Sequence, residues 1–491
     1  MPTLSCVLIG HKHTHEVQVI AQIFFPNARF EFIYGKDGKE DYPLSRVVSR
    51  LVGMDCTGEL HRDGKIIATH TLTAPCPDTL KRTLMLSLFH ALKEATEIPT
   101  PWGALTGVRP AKRVRNWLEE GISEAIIVER LRDLYQCRDD KIQLALAVAK
   151  AEQSLITKHL DNYPVGLYIG IPFCSSRCLY CSFVTAHTKI TNNGVADIEK
   201  SYIQALSLEC KHLATIFANQ PNQKINTVYI GGGTPTALSE ENLATLLEMV
   251  QYNFAPFLTS DSEYTVEAGR PDSITPAKLS LLKTYKVNRI AINPQTMSDE
   301  TLQRIGRAHT AHDFYTAYEM AQKAGFTNIN TDIIVGLPGE SLQHVQQTMA
   351  ALSSLSPAHI TVHTLAVKRA SRLNEHLMDY PLEDFKTVDT MLRIAHKTCT
   401  EELGLAPYYM YRQKNMTGHF ENVGYSLPGH ESIYNIAMMA ETQTVYAAGA
   451  GAVTKTLTET AEGILIERVF NPKNVEIYIE RMMEKYEHTS P

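Results

Sequence analysis

Between residues 165 and 366 the chain repeats one rhythm: a short apolar run, a loop, then a longer stretch with apolar residues three and four apart. The short runs predict strands at 165–171, 226–230, 262–267, 288–293, 328–335 and 358–366. The longer stretches predict helices near 195–218, 239–252, 275–285, 311–324 and 340–354. Six strand–helix units in series imply parallel strands joined by right-handed crossovers. Ile333-Ile-Val-Gly-Leu337 is continuously apolar, as strands covered on both faces are. A closed eightfold barrel takes about 250 residues. The units here span about 200, which fits an open six-stranded (βα)6 partial TIM barrel better. The predicted class is therefore α/β, with residues 164–370 as the barrel.

The flanks follow other patterns. Residues 1–100 read as a small α+β domain, with strands at 15–25 and 28–34, a turn at Gly35-Lys-Asp-Gly38 and a helix over 81–97. His11, His13 and His15 alternate, so on a strand they would share one face, as a solvated edge or a metal site. Residues 101–163 read as a helical connector, with helices at 123–135 and 141–159. Lys112, Arg113 and Arg115 lie on a helix there, as an anion site or a solvated basic face. Residues 371–491 read as an α+β cap over the barrel mouth, with helices at 383–402 and 474–486 and a strand at 408–412.

Composition narrows the class. The 491 residues are 44% apolar and 20% charged, as in a folded protein of about three domains. A net charge of -6 argues against a general nucleic-acid binder. No run reaches the ~18 apolar residues of a membrane span. The first residues lack a signal-peptide layout, and six of the nine cysteines are scattered. A reducing, cytoplasmic setting without a disulfide framework is expected.

The other three cysteines carry chemistry. Cys174, Cys178 and Cys181 follow the first barrel strand at the spacing C-x3-C-x2-C. Three local thiolates can hold three irons of a [4Fe-4S] cube and leave the fourth open. A zinc site completed by a distant ligand, or simply buried cysteines, would use the same residues. Active sites of such barrels lie at the carboxyl ends of the strands, where these cysteines fall. Gly231-Gly-Gly-Thr-Pro-Thr236 follows the second strand and lets backbone approach a ligand closely. Glu267 ends the third strand, Asn293-Pro-Gln295 the fourth, and Asp332 sits in the fifth. Arg307 and His309 follow the fourth unit. So many polar groups on one rim point to a shared ligand.

These cysteines with the Gly-Gly-Gly-Thr-Pro turn resemble the radical S-adenosylmethionine superfamily. Tyr168-x-x-Ile-Pro-Phe-Cys174, Val287-Asn-Arg-Ile-Ala-Ile-Asn-Pro-Gln295 and Asp332-Ile-Ile-Val-Gly-Leu-Pro-Gly339 resemble its oxygen-independent coproporphyrinogen III oxidase (coproporphyrinogen dehydrogenase) group. Leu105-Thr-Gly-Val-Arg-Pro110, Val266-Glu-Ala-Gly-Arg-Pro-Asp272, Val367-Lys-Arg-Ala-Ser-Arg372 and Tyr411-Arg-Gln-Lys-Asn415 resemble a divergent alternative-oxidase branch over nearly the full length. The resemblance implies a [4Fe-4S] cluster on Cys174, Cys178 and Cys181, with S-adenosylmethionine on the open iron. It implies cofactor contacts at Tyr168, Gly232, Gly233, Thr234, Glu267, Gln295, Arg307, Asp332 and Ala366, with Tyr168 and Glu267 as the catalytic candidates. The implied reaction takes coproporphyrinogen III to protoporphyrinogen IX by a 5′-deoxyadenosyl radical. It needs an electron donor such as a flavodoxin or ferredoxin. Arg270, Arg369, Arg372 and Arg412 are candidates for the substrate propionates. Two positions depart from the group. Phe183 stands where the best-known oxidases carry a fourth cysteine. Tyr434-Asn-Ile-Ala-Met-Met439 stands where haem-chaperone relatives carry His-Asn-x-x-Tyr-Trp. Haem delivery, or radical chemistry on another tetrapyrrole, are the alternatives.

Overall fold

The computed structural model describes residues 3–26, 28–35, 42–160, 164–182, 186–187, 194–220, 223–413, 416–461 and 463–486. The chain divides into two compact units. One is 1–146 with 412–420, and the other is 147–411 with 421–491.

The first unit is built on a five-stranded sheet in the order β2-β1-β3-β4-β5. Its strands are β1 (Thr3–Ile9), β2 (Arg29–Gly35), β3 (Arg46–Val52), β4 (Asp55–Arg62) and β5 (Lys65–Thr73). Here one expectation fails. The stretch expected as a strand at 15–25 is the helix Thr14–Phe24. Val17, Ile20, Ala21 and Phe24, spaced three and four apart, are buried together with Ile23, so the helical period wins. The histidines therefore share no strand face. His11 Nε2 instead lies 3.0 Å from the Ser49 hydroxyl. The helix Leu80–Thr96 packs on the same sheet through Leu88, Phe89 and Leu92. Residues 101–146, expected as a connector, pack into this unit, with Ala104 in its core. The turn expected at 35–38 falls mostly outside the described residues.

The second unit holds the predicted barrel strands: β6 (Val165–Ile171), β9 (Ile225–Gly232), β10 (Leu258–Glu267), β11 (Arg289–Ala291), β12 (Ile329–Val335) and β13 (His359–Thr364). Two two-residue strands, β7 (Phe173–Cys174) and β8 (Ala186–His187), pair beside the cysteine loop. The six barrel strands are adjacent in sequence order, and every neighbouring pair is parallel. In β6 every residue but Tyr168 is buried, as expected with both faces covered.

The segment expected as a cap instead extends this sheet at both ends. β14 (Ala406–Tyr411) and β15 (Asn422–Ser426) continue it antiparallel beyond β13. β16 (Val445–Ala448) pairs parallel with β6, followed by the antiparallel hairpin of β17 (Val453–Thr460) and β18 (Gly463–Phe470). Among the described residues the sheet thus has eleven strands and stays open, with β14 and β18 at its edges. Among the described residues, no helix is long and apolar enough to cross a membrane.

A buried carboxylate locks the C-terminal segment to the barrel. Glu209, on helix Gly194–Ala218, accepts hydrogen bonds from Gly449 N (2.8 Å), Tyr478 OH (2.6 Å) and Asn471 Nδ2 (2.8 Å). Gly449 has φ 106, and a side chain there would meet the Gly170 carbonyl oxygen at 2.3 Å. Removing Glu209 strands two buried donors, Gly449 N and Tyr478 OH, while Asn471 Nδ2 keeps the Gly449 carbonyl at 3.0 Å. We expect Glu209→Leu to cost about 3 kcal/mol, read as a lower urea midpoint of the whole chain.

Candidate functional site

The rim of the barrel is assembled from strand ends. β6 delivers the cysteine loop, which is held by a chain of contacts. Leu179 N donates to Ile305 O at 2.8 Å, and Cys181 N donates to Cys178 O at 3.2 Å. Cys174 Sγ lies 3.3 Å from Thr234 Oγ1. Arg270, only 3% exposed, donates to Ser176 Oγ (2.8 Å), Ser176 O (2.6 Å) and Cys178 Sγ (3.0 Å). Burial raises the Cys174 thiol pKa, while the Thr234 hydrogen bond and the Arg270 charge oppose it. A metal ligand must be thiolate, so a guanidinium at this loop favours the ligating form.

The glycine turn after β9 lies against this loop. Gly233 N donates to Ile171 O and Thr234 N to Phe173 O, both at 2.7 Å. A side chain on Gly233 would sit 2.3 Å from Phe173 O, and one on Gly231 would strike Glu267 Cδ at 2.8 Å. Gly232, at φ 111, turns its N–H to Glu267 Oε2 at 3.0 Å. Tyr229 OH donates to the other oxygen, Glu267 Oε1, at 2.6 Å. Burial pushes the Glu267 carboxyl up to about 7, although the Tyr229 and Gly232 hydrogen bonds pull the other way. Tyr168, Tyr229 and Tyr434 stack behind it, with Tyr229 and Tyr434 ring centres 4.3 Å apart.

Asp332 has the opposite electrostatics. Burial would raise its carboxyl, but the His363 hydrogen bond and charge, with Asn330 and Thr361, hold it below its ordinary value. Asn293 Nδ2 donates to Asp332 Oδ2 at 2.9 Å and Asn330 Nδ2 to Oδ1 at 2.7 Å. Gln295 has φ 65 and is pinned to β12 from both sides, Gln295 N to Asp332 O (3.0 Å) and Ile334 N to Gln295 O (2.9 Å). Arg307 donates to Gly269 O (2.8 Å) and Asn293 O (2.5 Å). Among the described residues, Gln295 Oε1 and Arg307 Nε are buried with no protein partner. His309 is buried beside Arg307. Burial first, then that charge, lower its pKa to about 3.

A protein of Bacillus subtilis named oxygen-independent coproporphyrinogen-III oxidase-like protein HemZ is 35% identical over 480 residues, covering 95% of this chain and 92% of that one. The Radical SAM superfamily matches residues 168–352. The chain belongs to the radical SAM superfamily, in its HemN-like group. The heme chaperone HemW of B. subtilis is 38% identical over 202 residues, covering 41% of this chain and 50% of that one. The solved coproporphyrinogen III oxidase HemN of Escherichia coli shares the fold, with a TM-score of 0.50, 20% identity, and 68% of this chain and 72% of that one covered. Radical SAM proteins use a [4Fe-4S] cluster and S-adenosylmethionine.

The rim suits those groups. Three cysteines share one loop, glycines leave a cradle that any Cβ would fill, and two buried polar atoms lack a protein partner. Among the described residues, no three His, Cys, Asp or Glu side chains gather on a single ion. A four-iron cube is instead gripped corner by corner, one thiolate per iron. Tyr168, Gly232, Glu267, Gln295, Arg307 and Asp332 connect through direct contacts or one intermediary, and Ala366 lies just past β13, 7% exposed. The arginines expected for propionates differ in their surroundings. Arg270 is turned onto the cysteine loop. Arg369 and Arg372 are exposed. Arg412 belongs to the other unit, where it donates to Leu105 O at 2.8 Å. Tyr229, Tyr434 and His363 were not singled out from sequence. Period-two alternation from Gly231 could have found Tyr229. Tyr434 was named only as the start of the stretch replacing the haem-chaperone motif, and its helix, Ile433–Ala440, was not among the predicted elements.

Gly233→Ala should force the glycine turn away from Phe173. We expect a loss of about 1–3 kcal/mol in stability and a lower yield of bound iron on reconstitution, read by thermal melting and iron analysis.

Proposed function

We propose that the protein is a radical SAM oxidoreductase that decarboxylates coproporphyrinogen III to protoporphyrinogen IX without oxygen, in haem biosynthesis. The observation that carries the substrate is the near full-length likeness to the oxidase-like B. subtilis protein. The rim geometry supports the cofactor roles. Cys174, Cys178 and Cys181 hold the cluster. Gly232, Gly233 and Thr234 cradle the methionine part of S-adenosylmethionine, and Glu267 meets its ammonium group. Gln295 and Arg307 offer it their partnerless buried atoms. Asp332 supplies an ionised acceptor, and Ala366 leaves room for the adenine. Tyr168 stands beside the reacting end as part of the tyrosine stack. When bound, the pair of cofactors would supply a 5′-deoxyadenosyl radical able to take one hydrogen atom from a propionate side chain; loss of CO2 and one electron, passed to a one-electron acceptor, would then leave the vinyl group. The chain's own work is to hold that C–H bond in place and keep water out. A flavodoxin or ferredoxin is the proposed electron donor, and the cytoplasm the proposed location.

The likeness to a heme chaperone over 202 residues favours haem delivery as the second reading. Phe183, at the fourth-cysteine position, lies outside the described residues. The deciding assay is anaerobic. Reconstituted protein receives reductant, S-adenosylmethionine and coproporphyrinogen III. We expect methionine, 5′-deoxyadenosine, CO2 and vinyl product, all lost in Cys174→Ala, Cys178→Ala and Cys181→Ala. Cofactor cleavage without vinyl product would sink the substrate assignment. Stable haem binding without substrate-dependent cleavage would favour delivery.

Glu267 adds a pH signature. Its ionised form, present above about 7, is the one that attracts an ammonium group. Affinity for S-adenosylmethionine should therefore rise as pH climbs through about 7, and fall again once the ligand's own α-amino group, with an ordinary pKa of about 7.7–8.0, loses its proton. Tyr229→Phe removes a hydrogen bond that lowers this pKa, so the midpoint should move upward. Equilibrium binding across pH checks both. An unchanged profile in Glu267→Gln would remove Glu267 from the binding site.

A further inference from the structure

Strand β18 is an edge unlike the rest of the eleven-stranded sheet. Edge strands are commonly blunted by lysine, proline or a covering element. β18 reads Gly463-Ile-Leu-Ile-Glu-Arg-Val-Phe470, with neither lysine nor proline. One side pairs antiparallel with β17 over eight residues, and the other is the last position in the sheet. Four large apolar side chains stand out from it: Ile464 (59% exposed), Leu465 (50%), Val469 (66%) and Phe470 (67%).

Their placement is symmetric. A two-fold axis perpendicular to a sheet keeps each face on its own side, so an antiparallel pair of identical strands aligns residues of equal parity. Centring that axis on Glu467 aligns Ile464 with Phe470 of the second copy and Leu465 with Val469. Each pair occurs twice. Such cross-strand apolar pairs are the unit of sheet stabilisation. Arg468 is already engaged with Glu441 of its own chain at 3.0 Å, and lies opposite Ile466 in this register. The one unfavourable pair is Glu467 with its own copy at the axis.

We propose that β18 is a homodimer interface, where two copies of this chain join edge to edge, antiparallel and in register about Glu467. The proposal is independent of the barrel chemistry. Pairing satisfies the outer backbone groups of both strands and gives each of the four exposed apolar side chains an apolar cross-strand neighbour.

The test is the oligomeric state of the full chain by size-exclusion chromatography with light scattering. A dimer that forms with rising concentration is expected, and a monomer at every concentration overturns the proposal. Leu465→Lys with Val469→Lys should give a monomer whose thermal midpoint and iron content match the parent. A dimer that survives this pair of changes overturns the interface. Glu467→Cys should cross-link to a disulfide dimer on mild oxidation well above the parent's background, because residue 467 faces itself. Arg468→Cys should not. Equal cross-linking of the two overturns the register. Glu467→Gln removes the central repulsion and should tighten the dimer by roughly two- to fivefold. A weaker dimer contradicts the axis position.

Discussion

Two backbone hydrogen bonds hold the rim together. Gly233 N to Ile171 O and Thr234 N to Phe173 O, both 2.7 Å, lay the glycine turn along the segment that carries the cysteines. They require main chain to approach main chain more closely than any Cβ permits. The consequences spread outward. Gly232 is turned so that its N–H reaches Glu267, Thr234 reaches Cys174, and Arg270 reaches back to Cys178. The candidate site is therefore one backbone arrangement with side chains hung on it.

The same barrel gives two carboxylates opposite characters. Glu267 is buried against tyrosines and a glycine turn, so its proton is held to about 7. Asp332 is buried too, but His363 and two asparagines surround it and keep it ionised. Environment rather than residue type separates them. β10 also carries Glu263 four residues before Glu267, on the same strand face. Glu263 accepts from Ser432 Oγ (2.9 Å) and Ile433 N (2.6 Å) at the start of helix Ile433–Ala440, which presents Tyr434 to the stack. One strand thus serves both the rim and the helix beneath it.

Legibility from sequence followed the physical range of each feature. The six barrel strands and their helices were readable because each is set by local periodicity. Cys174, Cys178 and Cys181 were readable because their spacing is itself the signal. The helix Thr14–Phe24 was misread because its β-branched and aromatic residues favour strands, while its burial follows a helical period. β16, β17 and β18 went unread because strand formation there depends on cross-strand neighbours more than on a strong pattern of their own. Tyr434 lies 266 residues from Tyr168 in sequence, and nothing local links them.

From the sequence alone came the α/β class, the parallel barrel, the three-cysteine loop, the glycine turn and the resemblance to a radical enzyme. These rest on short-range spacing and periodicity, which one chain displays without its fold. Tertiary structure alone decided that Arg270 serves the cysteine loop, that three tyrosines stack behind Glu267, and that the C-terminal segment widens the sheet. Each depends on residues distant in sequence meeting in space, where burial and charge act together. No linear pattern records that.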